Sequence, residues 1–107
     1  MDLTSICSLW LTLSFHRLDV VRTECKGRVR LAMHGTNDLP EEIMRECIKR
    51  GITKVNVNKL VLEDYLKHLK SNAATLPLTR LMEEGVEKAQ KLAEWQMDVC
   101  GSTGKAK

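Results

Sequence analysis

At 107 residues, 43% hydrophobic and 29% charged, the chain has room for one small domain with a modest core. Its 17 lysines and arginines are interleaved with 14 aspartates and glutamates for a net charge of +3, a balance that excludes a concentrated nucleic-acid footprint. The ordinary apolar fraction excludes wholesale disorder. Cys7, Cys25, Cys47 and Cys100 are far apart and form no CxxC pair, which argues against a zinc knuckle or a disulfide framework. A reducing cytosol is the default compartment for such a chain.

In the first stretch, Leu3, Ile6, Trp10 and Leu13 can line one helical face. The apolar run is short, serines and threonines interrupt it, and Asp2 stands where a secretory signal carries positive charge. A divergent leader is expected there, with neither a signal peptide nor a membrane span. Ser14 can then cap a helix whose apolar positions are Phe15, Leu18, Val21 and Cys25, with His16, Arg17, Asp19 and Arg22 outside and Gly27 as its stop. Val29, Leu31 and Met33 alternate with Arg28 and Arg30, a strand pattern that runs into His34.

Asp38 and Glu41 have capping-box spacing, Pro40 suits a first helical turn, and Glu41 and Glu42 oppose the positive end of the helix dipole. Ile43, Met44, Cys47 and Ile48 form the inward stripe of this helix, and Arg50-Gly51 closes it. Ile52 to Val57 reads as the next strand, so Arg28 to Val57 is one β-α-β unit with a right-handed crossover. A helix with Leu62, Tyr65, Leu66 and Leu69 on one face follows, up to Ser71-Asn72. The last helix is predicted from near Pro77 to just before Cys100-Gly101, facing inward with Leu78, Leu81, Met82, Val86, Ala89, Leu92, Ala93 and Met97. Ser102 to Lys107 reads as frayed.

Polar groups gather at the carboxyl ends of the two strands, where α/β folds hold ligands. His34 is a candidate metal ligand or a hydrogen-bonded structural histidine. Gly35 to Asp38 precede a helix N-terminus and suit either an anion such as phosphate or an ordinary turn and cap. Asn56 and Asn58 are two apart on a predicted strand, so their amides share a side and suit substrate oxygens, although plain loop asparagines read the same way. His16 and His68 are expected on helix surfaces.

His34-Gly35 after an apolar strand, the Pro40-Glu41-Glu42 helix start and the run Gly51-Ile52-Thr53-Lys54-Val55-Asn56-Val57-Asn58 resemble the carboxyl-terminal part of class II, zinc-dependent fructose-bisphosphate aldolases. The closing Cys100-Gly101-Ser102-Thr103-Gly104-Lys105-Ala106 is similar to the end of such chains. The resemblance covers roughly Phe15 to Ala106 and implies an α/β fold, the last strands and helices of a (β/α)8 TIM barrel. It divides the chain into a divergent leader over 1–13, an aldolase-like part over 14–101 and a flexible tail over 102–107. It also implies that His34 is a ligand of a catalytic Zn2+, and that Gly35, Thr36 and Asn37 help bind a substrate phosphate and a monovalent cation. Asn56 and Asn58 would hold the dihydroxyacetone phosphate portion of a sugar phosphate in glycolysis or related carbohydrate metabolism. In the family, zinc polarises the ketone in a Lewis-acid role.

The chain departs from the family pattern where His-Gly-Gly-Ser-Gly becomes His34-Gly35-Thr36-Asn37-Asp38, and where Lys59 stands in place of a common threonine and can pair with phosphate. The other zinc ligands and the catalytic aspartate of the family have no counterpart here. One histidine does not hold a catalytic zinc, which uses three protein ligands, and part of a barrel leaves sheet edges open to an oligomeric partner. Three readings follow. The first is an aldolase family member, inactive alone and active if another chain completes it. The second is a non-catalytic binding or assembly module using the exposed barrel edge. The third is a small helical nucleic-acid binder, which requires strongly salt-sensitive binding. The first is preferred, with a cytoplasmic location and neither nucleic acid nor membrane as partner.

Overall fold

The computed structural model of the chain describes residues 15–37 and 39–106. The apolar stripe of the leader, the Ser14 cap and Asp38 lie outside these residues. A first helix, α1, occupies residues 15–25 and ends where Lys26 and Gly27 turn into the left-handed region at φ 48° and 72°. The chain continues as β1 (Leu31–Met33), α2 (Glu41–Lys49), β2 (Ile52–Val55), α3 (Lys59–Asn72) and α4 (Leu78–Val99).

The two strands pair in parallel, as a β-α-β unit requires, through Leu31 with Ile52, Ala32 with Lys54 and Met33 with Val55. The register slips between Leu31 and Ala32. The unpartnered Thr53 sits in that slip, and its hydroxyl donates to the Leu31 carbonyl at 3.2 Å. Both strands are shorter than their sequence patterns predict. Val29 precedes β1 and is 59% exposed, and β2 stops at Val55, two residues before Val57.

Helix α2 begins at Glu41 with Pro40 as its N-cap, and no side-chain cap bond forms. The capping-box spacing places the start two residues earlier. The Leu39 amide instead bonds back to the Thr36 carbonyl at 3.3 Å, and a residue that precedes proline is disfavoured in the helical region. The predicted inward stripe is otherwise as observed: Met44 and Cys47 are buried, Ile43 and Ile48 half-buried. Burial pushes the Cys47 thiol up, with the Glu46 charge adding to the effect, which suits an inert packing role. Arg50, at the end of α2, binds α1 to this unit. It pairs with Asp19 and Glu46, and its guanidinium lies 4.8 Å from the centroid of the Phe15 ring.

Helices α3 and α4 form an antiparallel hairpin, with Tyr65 against Gly85 and His68 against Leu81. His68 is buried, contrary to the surface position expected of it. Its ring tolerates burial because both nitrogens are partnered: Nε2 lies 3.2 Å from the Leu81 carbonyl oxygen, and the Asn72 amide lies 3.2 Å from Nδ1. Glu84 faces the same ring at 3.6 Å; hydrogen bonding to Arg80 first, then nearby positive charge, holds its carboxyl below the usual range. The inward face of α4 also differs from the predicted one. Leu81, Gly85, Gln96 and Val99 are buried, whereas Leu78, Val86 and Met97 remain exposed. The apolar stripe of α4 is broader than α3 alone can cover.

Helix α4 ends in a Schellman arrangement: Gly101, at φ 69°, donates to Asp98, and Ser102 donates to Met97 at 2.9 Å. Beyond it the Thr103 hydroxyl bonds Asp98, and the Lys105 amide bonds Ser102. The described core is small, with five buried apolar residues: Met44, Cys47, Ile52, Leu81 and Val99.

Close packing at Gly85 yields a test. A Cβ there would lie 2.7 Å from Cε2 of Tyr65. Gly85→Ala should therefore destabilise the chain by about 1–2 kcal/mol net, even though alanine is the better helix former. Denaturant unfolding measures this, and in a Tyr65→Leu background the same substitution should lose most of its cost.

Candidate functional site

The carboxyl ends of β1 and β2 lie side by side, and the two segments that leave them carry the candidate residues. After Met33 the chain passes through His34 to Gly35, whose φ of 69° turns it sharply toward α2. After Val55 the Asn56 amide donates to the Met33 carbonyl at 3.1 Å, which extends the parallel ladder by one bond beyond the strand. The Asn56 side-chain nitrogen lies 3.0 Å from Nδ1 and 3.3 Å from Nε2 of His34. The Thr36 hydroxyl donates to the Asn56 carbonyl at 2.6 Å. His34, Thr36 and Asn56 are thus brought together by contacts that bridge 20 or more residues of sequence.

The other candidates stand around this cluster. Gly35 and Asn37 occupy the exposed turn after β1. Asn58 is the N-cap of α3 at φ −143° and ψ −78°, exposed, and its side chain makes no cap bond. The alternation argument that pairs it with Asn56 does not apply, because β2 has already ended at Val55. Lys59 is the first residue of α3; the hydrogen bond and charge of Lys67, with the Lys59 charge, lower the Glu63 carboxyl's affinity for protons.

Thr36, expected in a phosphate loop, has a buried side chain whose hydroxyl donates to a backbone carbonyl. Any phosphate contact from Thr36 therefore falls to its main chain. Nothing local in the sequence announces the bond, because its acceptor lies on another segment.

Electrostatics separates the two helix N-termini at this end of the sheet. Helix α2 carries Glu41 and Glu42 in its first turn and so meets its own dipole with carboxylates. Helix α3 has no acidic residue in its first turn and begins on Lys59, so its positive end is available to an external anion. For a divalent metal the donor set is thin. Among the described residues no three His, Cys, Asp or Glu side chains converge where a metal ion could sit. A catalytic zinc uses three protein ligands, and the described residues do not fit one on their own. Among the same residues no helix is long and apolar enough to cross a membrane.

If the Asn58 side chain serves a ligand rather than the helix, its loss should be mild for stability. Asn58→Ala is expected to change unfolding free energy by no more than about 0.5 kcal/mol, against about 1 kcal/mol for a bonded N-cap. Urea titration of the two chains decides.

Comparison with known proteins agrees with this architecture. The family model for class-II fructose-bisphosphate aldolase matches residues 7–105. A protein of Coccidioides immitis (strain RS) named "Putative fructose-bisphosphate aldolase" is 42% identical over 94 residues, which is 88% of this chain and 31% of the relative. The crystal structure of a "putative fructose-1,6-biphosphate aldolase from Coccidioides immitis" superposes with a TM-score of 0.82 at 41% identity, over 86% of this chain and 35% of that one. The YdjI aldolase from Escherichia coli K12 superposes at 0.78 with 25% identity, over 89% and 35% of the two chains. This chain therefore spans about a third of the length of the relatives it matches. With its parallel strand pair, its crossover helix and a family match over nearly its whole length, the chain belongs to the class II fructose-bisphosphate aldolase family.

Proposed function

We propose that the chain is the carboxyl-terminal β-α-β-α part of a class II aldolase (β/α)8 barrel, contributing to zinc-dependent, reversible aldol cleavage of a ketose bisphosphate in the cytoplasm. Residues 14–101 form the aldolase-like part, with a divergent leader before it and a short tail after it. His34 is its metal ligand. Gly35, the main chain of Thr36, Asn37, Asn56, Asn58 and Lys59 bind the sugar phosphate. The observation that carries this reading is the contact of His34 with Asn56 at the carboxyl ends of two adjacent parallel strands. That is where barrel enzymes assemble their sites from several strands. The acid-free start of α3 beside Asn58 and Lys59 supports a phosphate there.

The same geometry bears on activity. A single imidazole does not hold a catalytic zinc, so the chain is inactive alone and works when further barrel strands supply the remaining ligands. Among the described residues the sheet has two strands, each with an edge that no further strand pairs, suited to such a partner. A second reading, a non-catalytic assembly module, is favoured by the exposed Leu78, Val86 and Met97 on α4. It requires oligomers whose formation is indifferent to zinc.

A coupled aldolase assay on the purified chain, with and without Zn2+, tests the main reading. The chain alone should not cleave fructose 1,6-bisphosphate. Co-expression with the remaining two-thirds of the Coccidioides protein should give zinc-dependent cleavage that His34→Ala abolishes. Cleavage by the chain alone that needs zinc and disappears in His34→Ala would overturn the inactive-alone reading. A folded co-expressed complex without activity would favour the assembly module.

A further inference from the structure

We propose that Thr36 is a positioning residue that fixes the geometry of the His34–Asn56 pair. Its side chain is buried, with the residue only 2% exposed, and its hydroxyl donates to the Asn56 carbonyl at 2.6 Å. Such a short, buried bond between segments 20 residues apart is a cross-link at the mouth of the strand pair. It acts on the residue whose side chain reaches the histidine.

Asn56 is held from both directions. Its amide donates to Met33 at the end of β1, and its carbonyl accepts from Thr36, two residues past His34. With the main chain fixed on either side of its Cα, only side-chain rotation is left to Asn56. In the conformation adopted, its amide nitrogen lies 3.0 Å from Nδ1 and 3.3 Å from Nε2 of His34, so it holds the place of the ring as a whole. The Thr36 side chain touches neither metal nor substrate in this scheme. It acts through Asn56 on the orientation of His34. His34 is exposed, so without this cross-link solvent would compete freely for the ring. The inference deepens the proposed function, because the same pair is assigned there to metal and substrate.

The test uses the whole chain, free of metal and substrate, so its failure is distinguishable from failure of the aldolase reading. Thr36→Val keeps the shape and removes the hydroxyl, and Thr36→Ser keeps the hydroxyl. NMR follows the Asn56 amide exchange rate, the His34 ring nitrogen shifts and the proximity of the Asn56 side-chain amide to the ring. Wild type and Thr36→Ser should show that proximity. Thr36→Val should lose it, with Asn56 exchange faster by roughly tenfold and the α3–α4 amides unmoved. Retention of the His34 signature in Thr36→Val, or its loss in Thr36→Ser as well, would overturn the proposal. If Thr36→Val does not fold, the wild type decides. A slowly exchanging Thr36 hydroxyl proton close to Asn56 supports the proposal, and a rapidly exchanging one with no such contact overturns it.

Discussion

Parallel pairing of β1 with β2 is the constraint on which the rest of this structure depends. Two parallel strands cannot be joined by a tight turn, so the chain between them must cross over, and α2 is that crossover. Once the crossover exists, the carboxyl ends of both strands lie at one end of the sheet, and the segments leaving them must meet. The ladder bond from Asn56 to Met33 and the hydroxyl bond from Thr36 to Asn56 close that end. His34 gains its partner only because these two segments are adjacent. A strand pair of this length is not stable by itself, and its face rests on α2 through Met44, Cys47 and Ile52.

The helices solve a different problem. Arg50 ties α1 to the end of α2 through the Asp19 carboxylate and the Phe15 ring, with Glu46 of α2 holding the guanidinium, a fastening that is electrostatic and partly exposed rather than a packed layer. Helices α3 and α4 approach closely because Gly85 has no side chain where the Tyr65 ring lies. That contact also seals His68 inside the hairpin. Yet α4 keeps Leu78, Val86 and Met97 exposed, as does α3 with Leu66. Helix α4 thus carries apolar residues beyond the face that α3 covers, and the relatives that the chain matches are about three times as long.

Much of this was legible in the residues themselves. Period-two alternation around Leu31 and Met33, the Pro40-Glu41-Glu42 start and the Arg50-Gly51 stop specify the β-α-β unit locally, and it formed. Features that depend on distant partners were not legible. His68 looks like a surface histidine until Leu81 and Asn72 are seen to satisfy its ring. The inward face of α4 centres on Gly85 and Gln96 rather than on its larger apolar residues, since Tyr65 and His68 of α3 set where the helices touch. At the site, His34 and Asn56 were found by residue type and strand position, whereas the direct contact between them is a product of register. The shared side expected for Asn56 and Asn58 failed because β2 ends early, and period-two reasoning stops where the strand does.

The charge arrangement gives the candidate site a direction. Both helices that follow a strand, α2 and α3, start from the carboxyl edge of the sheet, but α2 places Glu41 and Glu42 in its first turn while α3 begins with a lysine and no acid. A cation at a helix N-terminus is locally unfavourable, and Lys59 holds that position in α3 with its charge also felt by Glu63. Asn58 is placed with the same economy: it begins the helix without lending its side chain to the cap. Acid is kept away from one helix start, and a lysine and an uncommitted carboxamide are brought to it. Of the two helix starts, α2 meets its own dipole with carboxylates and α3 does not, which is why the proposed sugar phosphate is assigned Asn58 and Lys59 as well as the turn after β1.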